Sequence, residues 1–223
     1  MRSKMLEHVQ VETGPNPTGS IIWLHGLGAD GHDFEPIVAQ LRTEQDTPLR
    51  FTFPHAPQRP VTINNGMMMR AWYDIKGLDL SQKEDREGTA ESSRQVTQLI
   101  EREEARGIPS DRIVLAGFSQ GGAIAMHLGL RFPRPLAGIM ALSTYLPFAA
   151  ETQEQLNAAN AKTPIMLAHG THDPVVPIGL GHLSHDRLQT MGCTVQWYSY
   201  PMQHAVCPEQ IQDIARWLRD RYD

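Results

Sequence analysis

One serine in the chain has the neighbours that a catalytic nucleophile requires. Ser119 stands within Gly117-Phe118-Ser119-Gln120-Gly121-Gly122. The apolar residues 113–116 predict a buried strand before it, and the apolar spacing of residues 123–130 predicts a helix after it. A strand that turns into a helix through Gly-x-Ser-x-Gly is a nucleophile elbow, whose glycines let strand and helix pass close to the serine. The sequence therefore predicts that Ser119 Oγ is held out over the strand ends.

A serine hydroxyl is a weak nucleophile, so it needs a base within hydrogen-bond reach and an acid that orients the base. In proteins with a nucleophile elbow, the three residues occur along the chain in the order serine, then aspartate or glutamate, then histidine. Asp173 is the aspartate after Ser119 that follows a predicted strand, while the others lie in predicted helices or the tail. His182 and His185 lie in a predicted helix, whereas His204 lies in the loop after the last predicted strand. The pattern predicts the triad Ser119, Asp173 and His204.

Acyl transfer also needs hydrogen-bond donors for the negative oxygen that forms during the reaction. Behind an elbow, one donor is the backbone N–H of the residue after the nucleophile, which is Gln120 here. The other donor comes from the loop after an early strand, and His25-Gly26-Leu27-Gly28 follows the predicted strand 20–24. We expect the N–H groups of Leu27 and Gln120 to form the oxyanion hole.

The same loop supports a second hypothesis. Gly26-Leu27-Gly28-Ala29-Asp30-Gly31 matches the dinucleotide-binding pattern Gly-x-Gly-x-x-Gly, which calls for an acidic residue at the end of the next strand. That strand ends in Phe53-Pro54-His55, without a carboxylate. A dinucleotide-binding protein is therefore the less favoured hypothesis.

Several histidines support a third hypothesis, a metallohydrolase. His169, His172 and Asp173 supply metal-ligand atoms, and His182 and His185 share a helix face. No His-Glu-x-x-His signature accompanies them. His169 is explained by its position at the end of a predicted strand. His182 and His185 are explained as residues on one solvent-exposed face of a helix. We therefore expect neither a metal nor another cofactor.

Composition limits the partners and the compartment. The 223 residues carry a formal charge of −5 and a sequence pI near 6.0, which argues against nucleic acid because phosphate binding requires clustered Lys and Arg. No apolar run of about 18 residues predicts a membrane span, and the N-terminal sequence has no apolar core of a secretory signal. Cys193 and Cys207 do not make a disulfide framework, so we expect free thiols and a cytoplasmic protein.

Short apolar strands alternate with helices along the chain, without a linker or an internal repeat. This alternation predicts an α/β protein, with a mostly parallel central sheet, helices on both faces and no large cap, built as one domain over residues 1–223. We assign no strand or helix to the polar residues 1–19 and 148–163, and we predict a helix over about 33–41. Residues 61–86 lack a long periodic pattern and are expected to cover one face of the domain.

Apolar residues in this covering stretch and in one later loop are candidates for an acyl-binding pocket. The candidates are Met67, Met68, Trp72, Leu78, Leu80 and Leu146. Several of them could equally belong to the core, because methionine fills irregular gaps in either setting. Pocket and core therefore both stay open for this set.

These motifs together resemble the carboxylesterase/acyl-protein thioesterase family of α/β hydrolases, also called the phospholipase/carboxylesterase family. The resemblance rests on the following stretches: Leu24-His25-Gly26-Leu27-Gly28, Pro54-His55-Ala56-Pro57, Ala71-Trp72-Tyr73-Asp74, Gly117-Phe118-Ser119-Gln120-Gly121-Gly122, Leu146-Pro147, His169-Gly170-x-x-Asp173 with Val175-Val176-Pro177, and Tyr200-Pro201-Met202-x-His204. It implies an α/β-hydrolase fold and the same five site residues: Ser119, Asp173, His204, Leu27 and Gln120.

The resemblance also implies a reaction without a cofactor. The substrates it implies are esters of short- to medium-chain acyl groups or acyl thioesters of protein cysteines, and a lysophospholipid is a further option. A weak homodimer is also an option. One position departs from the family pattern, because Gln203 precedes His204 where a glycine is common. A long polar side chain there would narrow the rim of the site and affect the size of the substrate.

Overall fold

The computed structural model describes residues 5–41, 47–77 and 84–222. Its strands in this part of the chain are β1 (His8–Glu12), β2 (Gly19–Leu24), β3 (Leu49–Pro54), β4 (Gln58–Val61), β5 (Met67–Arg70), β6 (Ile113–Phe118), β7 (Gly138–Leu142), β8 (Ile165–Gly170) and β9 (Val195–Tyr200). Its α-helices are α1 (Val38–Leu41), α2 (Arg86–Ala105), α3 (Gln120–Arg131), α4 (Ala149–Gln155), α5 (Ile178–Thr190) and α6 (Pro208–Tyr222). None of the described helices is long and apolar enough to cross a membrane.

Within the described ranges, seven strands form the central sheet, in the order β1-β3-β2-β6-β7-β8-β9. Of these described strands, only β1 is antiparallel to its neighbour, and the other pairings are parallel. The predicted α/β fold with a mostly parallel sheet is therefore confirmed. The ends of the parallel strands meet at one edge of the sheet, which brings together the loops after β2, β6, β8 and β9.

The sheet is buried on both faces, as its continuous apolar strands require. Successive side chains of a strand point to opposite faces, so Ile21 and Trp23 pack into one core while Ile22 and Leu24 pack into another. The first core includes residues of α1 and α6, and the second includes residues of α2 and α3. Helices therefore cover both faces, as predicted.

Three local predictions were wrong. The polar residues 1–19 contain the edge strand β1, which shows only a weak apolar signal because its residues are partly exposed. Residues 148–163 contain the helix α4. The predicted helix over 33–41 consists of a 3-10 turn, Glu35–Ile37, followed by the single turn α1.

The stretch predicted to be irregular is partly regular. Strands β4 and β5 pair antiparallel in a two-stranded ribbon separate from the central sheet. Pro60 lies within β4 opposite Met68, which is tolerated because each strand of a two-stranded ribbon has a free edge. The predicted pocket residues Leu78 and Leu80 lie outside the described residues.

Candidate active site

Ser119 lies at a strained turn between β6 and α3. Its backbone dihedrals are φ 53° and ψ −121°, a conformation that non-glycine residues rarely adopt. The turn is held on both sides, because the Ser119 N–H donates to the Leu142 carbonyl (2.8 Å) and the Ala123 N–H donates to the Ser119 carbonyl (3.1 Å). Such an elbow positions the serine side chain beyond the end of the sheet.

The glycines beside Ser119 leave no room for a side chain. A Cβ atom on Gly117 would overlap the backbone of Gly121 and Gly122. A Cβ atom on Gly121 would overlap the carbonyl groups of Leu24 and His25 at the end of β2. The elbow therefore depends on direct backbone packing between β2, β6 and α3.

Asp173 and His204 are in direct contact. The distance from His204 Nδ1 to Asp173 Oδ2 is 2.7 Å, and the Asp173 side chain is fully buried. The other carboxylate oxygen, Oδ1, accepts the N–H groups of Val175 (2.8 Å) and Val176 (2.9 Å). The carboxylate is therefore fixed in an orientation that accepts a hydrogen bond from His204 Nδ1–H. With its proton on Nδ1, the neutral His204 ring has an unprotonated Nε2 that can act as a base.

Backbone hydrogen bonds join the loops that carry the acid and the base. The Thr171 N–H donates to the Tyr200 carbonyl (2.8 Å), and the His172 N–H donates to the Met202 carbonyl (3.1 Å). The His204 ring also packs on the ring of Phe118, with 4.7 Å between centroids. Because Phe118 precedes the serine in the chain, this contact brings His204 to the elbow.

The loop after β2 lies against the elbow and is fixed by a neutral histidine. His25 Nδ1–H donates to the Gly26 carbonyl (2.7 Å), and the Ala56 N–H donates to His25 Nε2 (3.0 Å). Burial lowers the pKa of His25 to about 4, which keeps the ring neutral and able to make both bonds. A Cβ atom on Gly26 would lie 3.5 Å from Ser119 Cβ, so the Leu27 loop adjoins the serine.

Gln120 is the first residue of α3, where a backbone N–H has no acceptor within the helix. Its side chain points away from solvent and is bonded at both ends. Oε1 accepts the Trp72 N–H (2.8 Å), and Nε2 donates to the Tyr73 carbonyl (2.7 Å). The carboxamide is therefore bonded within the protein at both ends, and the Gln120 backbone N–H at the start of α3 has no acceptor within the helix.

An apolar cavity of about 880 Å³ opens beside Ser119. Its volume lies within the roughly 300–1,000 Å³ of typical ligand pockets. The described residues that line it are Leu27, Ile63, Asn64, Tyr73, Ile75, Ser119, Gln120, Tyr145, Pro174, Val175, Val176, Pro177, Gly179, Leu180 and Leu183. The cavity is therefore lined by the serine, by both residues expected to form the oxyanion hole, and by apolar side chains.

Comparisons with known proteins show the family of the chain. The phospholipase/carboxylesterase family model matches residues 6–221. Acyl-protein thioesterase 1 of Neurospora crassa is 42% identical over 213 residues, covering 92% of this chain and 87% of the relative. Acyl-protein thioesterase 1 of Cryptococcus neoformans var. neoformans is 38% identical over 232 residues, covering 96% and 97%. The crystal structure of Arabidopsis thaliana SOBER1 superposes with a TM-score of 0.87 at 32% identity, covering 92% of this chain and 99% of that one.

The chain belongs to the phospholipase/carboxylesterase family. It is a serine hydrolase of esters or thioesters, as the motifs predicted.

Four of the predicted acyl-pocket residues lie in the described part of the chain, and none of the four lines the cavity beside Ser119. Trp72 is completely buried in the core, where its indole Nε1–H donates to the His25 carbonyl (2.8 Å). Met67 and Met68 lie on β5 with 63% and 60% of their surface exposed. Leu146 is buried and borders an adjoining cavity of about 330 Å³, which shares Tyr145, Leu180 and Leu183 with the cavity beside Ser119.

The wall residues that sequence analysis missed come from three segments. Ile63 lies in the turn between β4 and β5 and Ile75 follows β5, Val175 follows Asp173, and Leu180 and Leu183 lie on α5. One signal was available, because the two leucines are spaced i, i+3 on a helix that begins just after Asp173.

The histidines that favoured metal chemistry have structural contacts. His182 and His185 pack on the ring of Trp197, with 4.6 Å and 5.8 Å between centroids. His169 is buried and Nε2–H donates to the Val176 carbonyl (2.8 Å), and burial lowers its pKa. Among the described residues, no group of three or more His, Cys, Asp or Glu is arranged to hold a metal ion.

The glycine-rich loop also differs from a dinucleotide site. After Gly31 the chain enters an irregular stretch and then the 3-10 turn Glu35–Ile37, so no α-helix begins at the end of the motif. A dinucleotide site places the pyrophosphate at a helix N-terminus in that position. The Gly31 N–H instead donates to His55 Nδ1 (3.0 Å).

Proposed function

We propose that this serine hydrolase removes acyl groups from protein cysteines, acting on short- to medium-chain thioesters through an acyl-enzyme. The observation that carries the proposal is the apolar cavity of about 880 Å³ that opens beside Ser119. Two relatives with 38% and 42% identity are named acyl-protein thioesterase 1. The apolar wall suits a hydrocarbon chain, and its exposed rim leaves room for a protein on the leaving-group side.

In the proposed mechanism, His204 Nε2 takes the proton of Ser119 Oγ as the oxygen attacks the acyl carbonyl. Asp173 holds His204 Nδ1–H and stabilises the imidazolium that forms. The tetrahedral oxyanion accepts hydrogen bonds from the N–H groups of Leu27 and Gln120. His204 then returns the proton to the thiolate as it leaves, and water hydrolyses the acyl-enzyme by the same steps.

The proposed compartment is the cytoplasm. Cys193 and Cys207 are free thiols in this structure, and free thiols persist in reducing compartments. Acyl groups on cytoplasmic protein cysteines are accessible there to an enzyme of this kind. We also propose that residues 1–223 act as one domain, because one core packs residues of β2 and β3, near the start of the chain, against residues of the C-terminal helix α6.

The test compares three substrates that share one acyl chain. Purified protein is assayed with an S-octanoyl-cysteine peptide, the matched O-octanoyl-serine peptide and octanoyl lysophosphatidylcholine. We expect the highest kcat/KM for the thioester peptide. Faster turnover of the lysophospholipid would overturn the proposed substrate class while leaving the serine mechanism intact.

Ser119→Ala tests the mechanism in the same assay. We expect a fall in kcat of roughly 10⁴–10⁶-fold, as for other removed serine nucleophiles. A fluorophosphonate should label the wild type at one site and leave Ser119→Ala unlabelled. Labelling of the variant, or turnover near that of the wild type, would contradict the assignment of Ser119.

A further inference from the structure

A short segment after the β4–β5 ribbon contacts both sides of the proposed oxyanion hole. We call this segment, Arg70–Tyr73, the oxyanion strap. It bonds on one side to the loop that carries Leu27 and on the other side to Gln120. The proposed mechanism uses none of its side chains.

The strap first fixes the Leu27 loop from both ends. The Gly28 N–H donates to the Arg70 carbonyl (2.9 Å). The Trp72 indole Nε1–H donates to the His25 carbonyl (2.8 Å), and the two rings lie 5.3 Å apart. His25, two residues before Leu27, and Gly28, the residue after it, are not free to move apart, because both are bonded to the same four-residue segment.

The strap then fixes Gln120 through its carboxamide. Oε1 of Gln120 accepts the Trp72 N–H (2.8 Å), and Nε2 donates to the Tyr73 carbonyl (2.7 Å). Gln120 is only 3% exposed, so these bonds form away from competing water. Its backbone N–H is the other proposed oxyanion donor.

The strap is itself anchored to the body of the protein. The Ser92 hydroxyl of α2 donates to the Trp72 carbonyl, and the Ala71 N–H donates to the Pro57 carbonyl (3.0 Å). The Trp72 ring is completely buried in the core that includes residues of α2 and α3. The strap therefore provides a fixed reference to which both donor segments are tied.

We propose that the Gln120 carboxamide is a positioning residue, which sets the spacing between the Gln120 and Leu27 N–H groups by bonding α3 to the oxyanion strap. Catalysis by an oxyanion hole depends on donors that are held in place before the charge develops. A displacement of about 1 Å in a catalytic group can cost on the order of 10²-fold in rate. The inference rests on the proposed serine mechanism, and adds a role for a side chain that does not itself touch the substrate.

Gln120→Met tests the role, because methionine has a similar length and makes neither hydrogen bond. The backbone N–H of residue 120 is retained. We expect kcat for an octanoyl ester to fall about 10- to 100-fold, less than the roughly 10²–10³-fold typical of losing a whole donor. KM should change little, because the hydrogen bonds from the Gln120 and Leu27 N–H groups to the oxyanion form in the transition state.

Gln210→Met is the matched control. Gln210 is also completely buried, but it lies on α6, and neither polar atom of its side chain has a hydrogen-bond partner among the described residues. This variant replaces a buried amide with the same thioether away from the site. We expect its kcat to match that of the wild type.

Binding of octylboronic acid separates positioning from general destabilisation. The compound forms a tetrahedral adduct that mimics the transition state, so its affinity for Gln120→Met should fall by the same factor as kcat/KM. A purely structural role would lower the melting temperature and leave boronate affinity and kcat unchanged. That result would overturn the inference.

Trp72→Phe provides a second variant should Gln120→Met fail to fold. It removes the indole bond to the His25 carbonyl and keeps an aromatic ring. We expect a smaller fall in kcat and in boronate affinity, and unchanged values would overturn the inference. Failure of the proposed function gives a different result: the wild type itself would neither turn over acyl esters nor take a fluorophosphonate label.

Discussion

The triad edge, the sheet edge that carries the proposed triad of Ser119, Asp173 and His204, adjoins the wall of the apolar cavity. The two regions are built differently. At the triad edge, backbone packs on backbone, and a Cβ atom on Gly117, Gly121 or Gly170 would overlap main-chain atoms of a neighbouring segment. At the cavity wall, side chains extend into solvent, and Val175 and Leu183 are 59% and 66% exposed.

This difference separates the reaction from the choice of substrate. Backbone contacts leave the triad edge little room to shift, and a displacement of about 1 Å can cost on the order of 10²-fold in rate. The wall only has to offer apolar surface, which many side chains provide. We therefore expect substitutions at the edge to affect turnover of every substrate, and substitutions at the wall to affect substrates according to chain length.

Two glycine substitutions should give the largest contrast. Gly121→Ala would force the elbow away from β2, so we expect kcat/KM to fall by roughly 10²-fold or more for all substrates. Gly179 borders the cavity on α5 and has open space where a Cβ would lie. Gly179→Ala should leave acetyl ester turnover near the wild-type value and stabilise the helix by about 0.5–1 kcal/mol.

The measurements are kcat/KM, the fluorophosphonate labelling rate and the melting temperature of both variants. A folded, fully active Gly121→Ala would show that the edge tolerates displacement. The contrast between the two regions would then be wrong.

A smaller, selective effect is expected from the cavity wall. Leu180→Ser removes apolar surface worth about 0.8 kcal/mol per buried methylene. We expect the ratio of octanoyl to acetyl ester kcat/KM to fall about tenfold. Met68→Ser is the control, because Met68 lies on the exposed ribbon and does not line the cavity. An equal loss for both esters would indicate that Leu180 supports the fold and not the acyl chain.

The smallest expected effect is a pH dependence of stability at the triad edge. The pKa of His25 is lowered by burial from 6.5 to about 4, so between these values the unfolded chain binds a proton that the folded chain does not. The free energy of unfolding should therefore fall as the pH drops below about 6.5, by about 1 kcal/mol at pH 5.5 from this group. Burial lowers the pKa of His127 to about 3, which acts in the same direction.

Thermal melts at pH 7.5 and 5.5 measure this dependence. A change of about 1 kcal/mol corresponds to roughly 2–4 °C in a protein of this size. His25→Asn removes the titrating group and should reduce the difference between the two pH values. An undiminished difference would show that protonation of His25 does not contribute.

The sequence predicted most of the central sheet, because its inner strands are buried on both faces and read as continuous apolar runs. It missed β1, whose edge position leaves two of its five residues exposed and the others only partly buried, and α4, which is short and largely polar. The order of Ser119, Asp173 and His204 could be inferred because each follows a strand end, and strand ends meet at one edge in a parallel sheet. The structure adds the contact between the aspartate and the histidine.

The acyl pocket could not be inferred in the same way. Met67 and Trp72 lie five positions apart in one apolar stretch, yet the first is largely exposed and the second completely buried. Their burial depends on contacts distant in sequence, since Trp72 is held by His25 and by the side chain of Gln120. Local composition does not reveal contacts with residues distant in sequence. A stretch without periodicity also does not show which of its side chains share a buried face.

The hydrogen bonds that join the loop of the acid to the loop of the base have a consequence for the dynamics of the enzyme. Thr171 and His172 bond to Tyr200 and Met202, so neither loop leaves the sheet edge without breaking bonds that hold the other. Segments joined in this way open as one cooperative unit. We therefore expect thermal fluctuation to displace Asp173 and His204 together, which would give this part of the site one open state where two independent loops would have three.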